Sequence, residues 1–150
     1  MIEEIKELNI CEIEDLLEES ECQGYHYLTK MISQWQSGYN RFALENEILI
    51  CYKVNGKIAG IGGINEEPYL KKKDYGRLRH LYVLTQYRRN HIGRQIIEHL
   101  IEFGMKYYKA ITLRVPENKE AAPFYESLGF IRTNEIETVT HVKWINSKNA

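Results

Sequence analysis

Cysteine is scarce. Cys11, Cys22 and Cys51 are odd in number and include no C-x-x-C pair, so neither a disulfide framework nor a zinc site is indicated. They are expected as free thiols in a reducing compartment. No apolar run approaches the ~20 residues that span a bilayer, and Met1 to Lys6 lacks the basic and apolar regions of a leader, so no membrane role and a cytoplasmic location are expected. A basic excess is also missing. The formal net charge of -1 argues against a general nucleic-acid binder, although Lys71 to Lys73 with Tyr69 and Tyr75 would suit one; the lysine run reads as an exposed loop. His26, His91, His99 and His141 fall at no ligand spacing, so no metal is expected. Repeats, low-complexity tracts and linkers are absent, which leaves a single domain over residues 1–150 with 43% hydrophobic residues to build its core.

What is present is unevenly placed. Residues 1–22 carry nine carboxylates, among them Glu12, Asp15 and Glu19, against the single Lys6, whereas residues 71–94 are rich in Lys and Arg. Such a split suits two solvated faces, or an anionic ligand on one side and a cationic one on the other. Within the basic half, the run Leu78 to Leu84 is rich in strand formers, Arg88 to His91 is too polar to continue it, and from Ile92 the apolar period becomes helical through Ile96, Ile97, Leu100 and Ile101. A strand feeding a helix through a basic, Gly-containing turn gathers free N–H groups, a helix dipole and guanidinium groups. That combination suits a phosphate.

The rest of the chain supplies a frame. Residues 2–8 predict a first strand, and residues 12–19 and a stretch from Tyr27 to Trp35, ended by Gly38, predict two helices. Asn55-Gly56 between the apolar runs 48–54 and 57–64 is a strong hairpin signal. Asn65 to Tyr75 is polar and reads as a separate connecting segment. Residues 110–115 read as a buried strand ended by Pro116, and Asn118 is placed to cap a short helix that stops at Gly129. Residues 130–132 and 138–145 complete the set as strands. This order predicts an α+β domain: a central mixed, mostly antiparallel sheet of about seven strands flanked by about four helices, with a parallel pair beside the long helix.

The order of elements and three local motifs resemble the GCN5-related N-acetyltransferase (GNAT) family. The likeness is strongest over residues 76–133. The turn Arg88-Arg89-Asn90-His91-Ile92-Gly93 is similar to the family's pyrophosphate-binding Arg/Gln-x-x-Gly-x-Gly/Ala, with His91 where the first Gly usually stands. His is among the non-Gly residues tolerated at positive φ. The stretch Asn118 to Phe130, with Ala121, Phe124, Tyr125, Leu128 and Gly129, resembles the signature helix and following strand. Leu81-Tyr82-Val83 corresponds to the part of the fourth strand whose free backbone groups pair with the pantetheine arm.

The resemblance implies an enzyme that transfers acetyl from acetyl-CoA to a primary amine of a small molecule or peptide by direct attack. The implied CoA-binding residues are Leu81, Tyr82, Val83, Arg88 to Arg94, Asn118, Ala121 and Tyr125. Tyr125 would donate a proton to the departing sulfur, and a backbone N–H near Val83 would bond the thioester carbonyl. His80 is the best base that the strand offers, with Glu66 and Glu67 as alternatives, since Arg79 cannot act as one. The acidic N-terminal region would favour a cationic acceptor. The other reading is a non-catalytic sensor of CoA or acyl-CoA, supported by His91 and by the absence of an acidic residue on the fourth strand. The final strand offers an edge for a homodimer.

Overall fold

The structure, a computed structural model, describes residues 1–70, 72–116 and 121–145, with the side chains of Lys72 and Lys73 left out. Its strands are β1 (Ile2–Glu4), β2 (Ile48–Val54), β3 (Lys57–Glu67), β4 (Lys72–Val83), β5 (Ala110–Leu113), β6 (Ile131–Arg132) and β7 (His141–Trp144). They form one seven-stranded sheet in the order β1-β2-β3-β4-β5-β7-β6. Every neighbouring pair is antiparallel except β4 and β5. The α-helices among the described residues are α1 (Glu14–Cys22), α2 (Tyr27–Ser37), α3 (Ile92–Gly104) and α4 (Ala121–Ser127). The predicted α+β architecture is the one observed.

Alternation along the strands divides the core between two faces. On one, Ile96, Ile97 and Leu100 of α3 join a cluster with Ile50, Ile64 and Ile111. On the other, Leu16 of α1 and Leu28 and Met31 of α2 join Leu49, Cys51 and Ile61. Helix α3 lies so close to β3 that a Cβ on Gly62 would stand 2.8 Å from a methyl of Ile96. Glycine is required there by contact, not by backbone angle.

Several boundaries differ from the sequence reading, among them those of α1, which runs Glu14–Cys22, and β5, which stops at Leu113. The first strand stops at Glu4. The polar segment Asn65 to Tyr75 is mostly strand, because β3 runs on to Glu67 and β4 begins at Lys72. Its buried polar residues Asn65 and Glu67 are internally paired. Glu67, 1% exposed, accepts hydrogen bonds from Arg77 Nη1 at 2.7 Å, Thr112 Oγ1 at 3.0 Å and the Tyr69 amide at 2.8 Å. Composition alone does not reveal such pairing, which offsets the cost of burying the charges. The last strand starts at His141, because Thr138 takes a φ of 63° and its carbonyl accepts from Arg77 Nη2 at 2.9 Å. The cap expected at Asn118 lies outside the described residues.

Candidate active site

The parallel pairing that follows α3 is short. Strands β4 and β5 pair only from Tyr75 to Arg77 and from Ala110 to Thr112, and then part. On its other side β4 is interrupted as well: Ile61 pairs with Tyr82 and Gly63 with Arg79, so that His80 and Leu81 together face Gly62. This is a bulge, and His80 sits in it at a φ of 65°. The bulge frees backbone groups of β4. One is claimed from within the protein, since Tyr27 Oη of α2 donates to the Leu81 carbonyl at 2.7 Å.

Two cavities meet over the parted strands. One, of about 620 Å³, runs from Leu81, Tyr82 and Val83 to the start of α3, where Arg88, Arg89 and His91 to Arg94 line it opposite Phe124. The other, of about 380 Å³, lies over Arg77 to Leu81 and is closed by Leu113 to Pro116. Tyr25, Tyr27, Leu81, Ala121 and Tyr125 line both. The structure therefore gathers every described residue of the expected CoA set around one cleft except Asn90, which the cavity lining does not include.

At the larger cavity the turn into α3 is held in an unusual backbone. Arg89 has a φ of 70° and His91, the residue before the helix, has φ 60° and ψ 18°. The first amides of a helix have no acceptor within it, so the N–H groups of Ile92, Gly93 and Arg94 are available at its positive end. A Cβ added to Gly93 would meet Phe124 at 3.6 Å and Val83 at 3.7 Å, ordinary contacts. The protein's own packing does not demand glycine there.

The three arginines of the turn are not equivalent. Arg88 Nε donates to the Val83 carbonyl at 2.9 Å, and its guanidinium lies 5.2 Å from the centre of the Tyr82 ring. Arg94 donates to Ser127 Oγ at 3.1 Å and pairs with Glu98 at 3.6 Å, tying α3 to α4. Arg89 is exposed and has no partner among the described residues. It is the arginine of this turn with its charge unengaged.

Tyr125 stands where the cavities join. Its ring packs edge-on against Phe124 and Phe130, at centroid distances of 5.0 and 5.9 Å. Burial raises its pKa above the usual tyrosine value, so the phenol is protonated at neutral pH. Among the described residues its hydroxyl has no hydrogen-bond partner. The helix that carries it is anchored by the next residue: Glu126 Oε2 lies 2.8 Å from Nε2 of the fully buried His141, whose Nδ1 meets Thr140 Oγ1 at 3.0 Å. Tyr27, Glu126 and His141 escaped the sequence reading. They are distant in sequence, and each reads by itself as a core aromatic or a strand or helix residue.

His80 is placed differently from a group that exchanges protons with a ligand. Its imidazole packs edge-on against Phe42 at 5.9 Å, and both ring nitrogens are shut off from solvent without a hydrogen-bond partner among the described residues. Burial, with Arg79 beside it, pushes its pKa down to about 3. Neither alternative carboxylate is free: Glu67 is locked into the network with Arg77, and Glu66 accepts from Asn46 at 3.2 Å. The acidic residues of the N-terminal region are also elsewhere, for no carboxylate lines either cavity among the described residues. Burial raises the pKa of Glu19, but bonds from Tyr82 and Thr85 outweigh it and hold the carboxyl below its ordinary value.

A strand that parts from its parallel neighbour, a bulge, and a free-amide turn into the following helix are arranged as in the acetyltransferases that the motifs resemble. A family model described as "Acetyltransferase (GNAT) domain" matches residues 16–148. The chain belongs to the GNAT family. The fold agrees. A candidate acetyltransferase from Exiguobacterium sp. 255-15 superposes with a TM-score of 0.83 at 24% identity, covering 96% of this chain and 92% of its own. A GNAT acetyltransferase from Staphylococcus aureus Mu50 gives 0.72 at 13% identity over 97% and 100%. A ribosomal-protein-alanine N-acetyltransferase from Brucella melitensis gives 0.71 at 15% identity over 96% and 99%. The GNAT cosubstrate is an acyl-CoA; this cleft offers free amides and the exposed Arg89 at one end, parted strand edges along its floor and a protonated tyrosine at the other end. No helix among the described residues is long and apolar enough to cross a membrane, and no cluster there of three or more His, Cys, Asp or Glu is arranged to hold a metal ion.

Proposed function

We propose that the protein is an acetyl-CoA-dependent N-acetyltransferase acting on a primary amine by direct attack. The observation that carries this reading is the Tyr125 hydroxyl, protonated, without a partner among the described residues, and standing where the two cavities meet. In this reading the larger cavity takes the CoA moiety, with its phosphates at the amides of Ile92, Gly93 and Arg94 and at Arg89. The acceptor enters from the smaller cavity. The amine nitrogen bonds to the acyl carbon, the C–S bond breaks, and Tyr125 donates its proton to the leaving sulfur. An N–H of the opened β4 edge bonds the acyl oxygen as negative charge develops there.

The amine proton leaves to solvent, because no described side chain of the cleft is placed to take it, and solvent returns a proton to the Tyr125 phenolate. His80 is sealed off with a pKa pushed down to about 3 and serves instead to hold the bulge. An assay of thiol release with acetyl-CoA and a panel of amines tests the reading. Tyr125→Phe is expected to lower kcat by roughly 10²- to 10⁴-fold with little change in acetyl-CoA affinity. Unchanged turnover would remove Tyr125 from the chemistry, and binding without turnover on any amine would favour a CoA sensor.

A further inference from the structure

The smaller cavity has a charge that the acyl-transfer reading does not use. Its wall contains Lys30, Arg77, Arg79 and Arg114, and no Asp or Glu among the described residues. Arg77 is neutralised by Glu67 at 2.7 Å. The other three have no such partner among the described residues. Arg79 is largely buried, and its hydrogen bond there goes to a neutral amide, Asn65 Oδ1, at 3.3 Å. Lys30 and Arg114 are exposed at the mouth, on α2 and just beyond β5, and neither has an ion-pair partner among the described residues.

A cation withdrawn from water without a counter-charge is costly, and a carboxylate brought beside it recovers that cost through charge-assisted bonds. Burial together with the neighbouring Arg77 lowers the pKa of Arg79, which is the same unfavourable environment expressed in proton affinity. A polyamine or another polycation would meet like charge here instead. The rest of the wall is largely apolar, with aliphatic Leu78, Leu113 and Val115 beside the rings of Tyr25, Tyr27 and Tyr69, and a volume of about 380 Å³ is within the range of small-molecule sites.

We infer that the smaller cavity selects an acceptor carrying a carboxylate near its amine, an α-amino acid or a similar small zwitterion, with Arg79 and Arg114 holding the carboxylate. This inference rests on the acyl-transfer reading for the meaning of "acceptor". The carboxylate sits toward the arginines and the amine toward Tyr125, where the nitrogen takes the acyl group as described above.

The test uses free amino acids, their carboxamides and a polyamine as acceptors in the thiol-release assay, and the N-acetyl amino acids and N-acetyl carboxamides as binding probes by saturation-transfer NMR. The acids are expected to exceed their amides by about tenfold or more in kcat/KM, the worth of one charge-assisted hydrogen bond. Arg114→Gln, at an exposed position, should bring the two within about threefold while leaving the KM for acetyl-CoA unchanged; Arg79→Gln should do the same if it folds. In the binding arm, N-acetyl acids should show contact that their carboxamides lack. Equal or better use of amides or polyamine, or equal binding of both probes, overturns the inference. Selective binding of the acids with no turnover on any amine upholds the anion site and refutes acyl transfer, so the two failures are distinct.

Discussion

Tyr27 Oη donates to the carbonyl of Leu81 at 2.7 Å, a bond that joins α2 to the bulge of β4 across 54 residues of sequence. Burial first, then the nearby Tyr125 and Tyr82, raises the Tyr27 pKa, so the phenol stays a donor throughout the useful pH range. Replacing it by Phe leaves a carbonyl unpaired in the wall of the cleft. Tyr27→Phe is expected to lose about 1–3 kcal/mol of stability, read by urea denaturation. An unchanged midpoint and slope would show that the bulge does not depend on this bond.

His80 makes stability depend on pH. Its folded pKa, about 3, lies below its ordinary value of 6.5, so on acidification the unfolded chain binds a proton first. Stability from this group is therefore complete above pH about 6.5 and falls as pH drops toward 3, by roughly 1.4 kcal/mol per pH unit. Urea titrations of the wild type and His80→Phe at pH 7 and pH 5 check the sign: the wild type should lose more between the two. Equal losses would mean that the imidazole is not held neutral by burial.

His91 occupies a left-handed backbone at φ 60°, which most side chains enter only at a cost. His91→Val should destabilise the protein by about 1–2 kcal/mol, because a β-branched residue tolerates this region worst. His91→Gly should hold or raise the melting temperature and keep acetyl-CoA affinity. Loss of affinity in the Gly variant would give the His91 side chain a role of its own in binding.

Much of this was legible along the chain. The apolar period of α3, the Asn55-Gly56 turn and the stretch Ala121 to Phe130 each signal through neighbours in sequence, and the family motifs placed Tyr125 and the turn at His91. His91 at positive φ follows from its standing where a glycine usually is. The polar strand ends of β3 and β4 were not legible, because Glu67, Arg77, Thr112 and Thr138 are paired only through the folded sheet. The same holds for the charge of the smaller cavity. A count of carboxylates in residues 1–22 suits a cationic acceptor, yet Glu19 turns to Tyr82 and Thr85, Glu21 turns to His26 and Thr29, and the described residues that line this cavity include Lys30, Arg77, Arg79 and Arg114 but no carboxylate. Composition reports how many charges a segment has; side-chain direction decides which of them a ligand meets.

The central claim is that the amides at the start of α3 receive the phosphates of acetyl-CoA. Gly93 tests it directly, since a Cβ there meets its neighbours at ordinary contact distances, and a carboxylate in the first turn of a helix favours the fold. Calorimetric titration of the wild type and Gly93→Glu with acetyl-CoA, paired with thermal melts, separates binding from folding. The account predicts an equal or higher melting temperature for the variant and an affinity at least about tenfold weaker, as expected for a like charge set against the phosphates. Equal affinity in the two proteins, or no binding by the wild type, would contradict it.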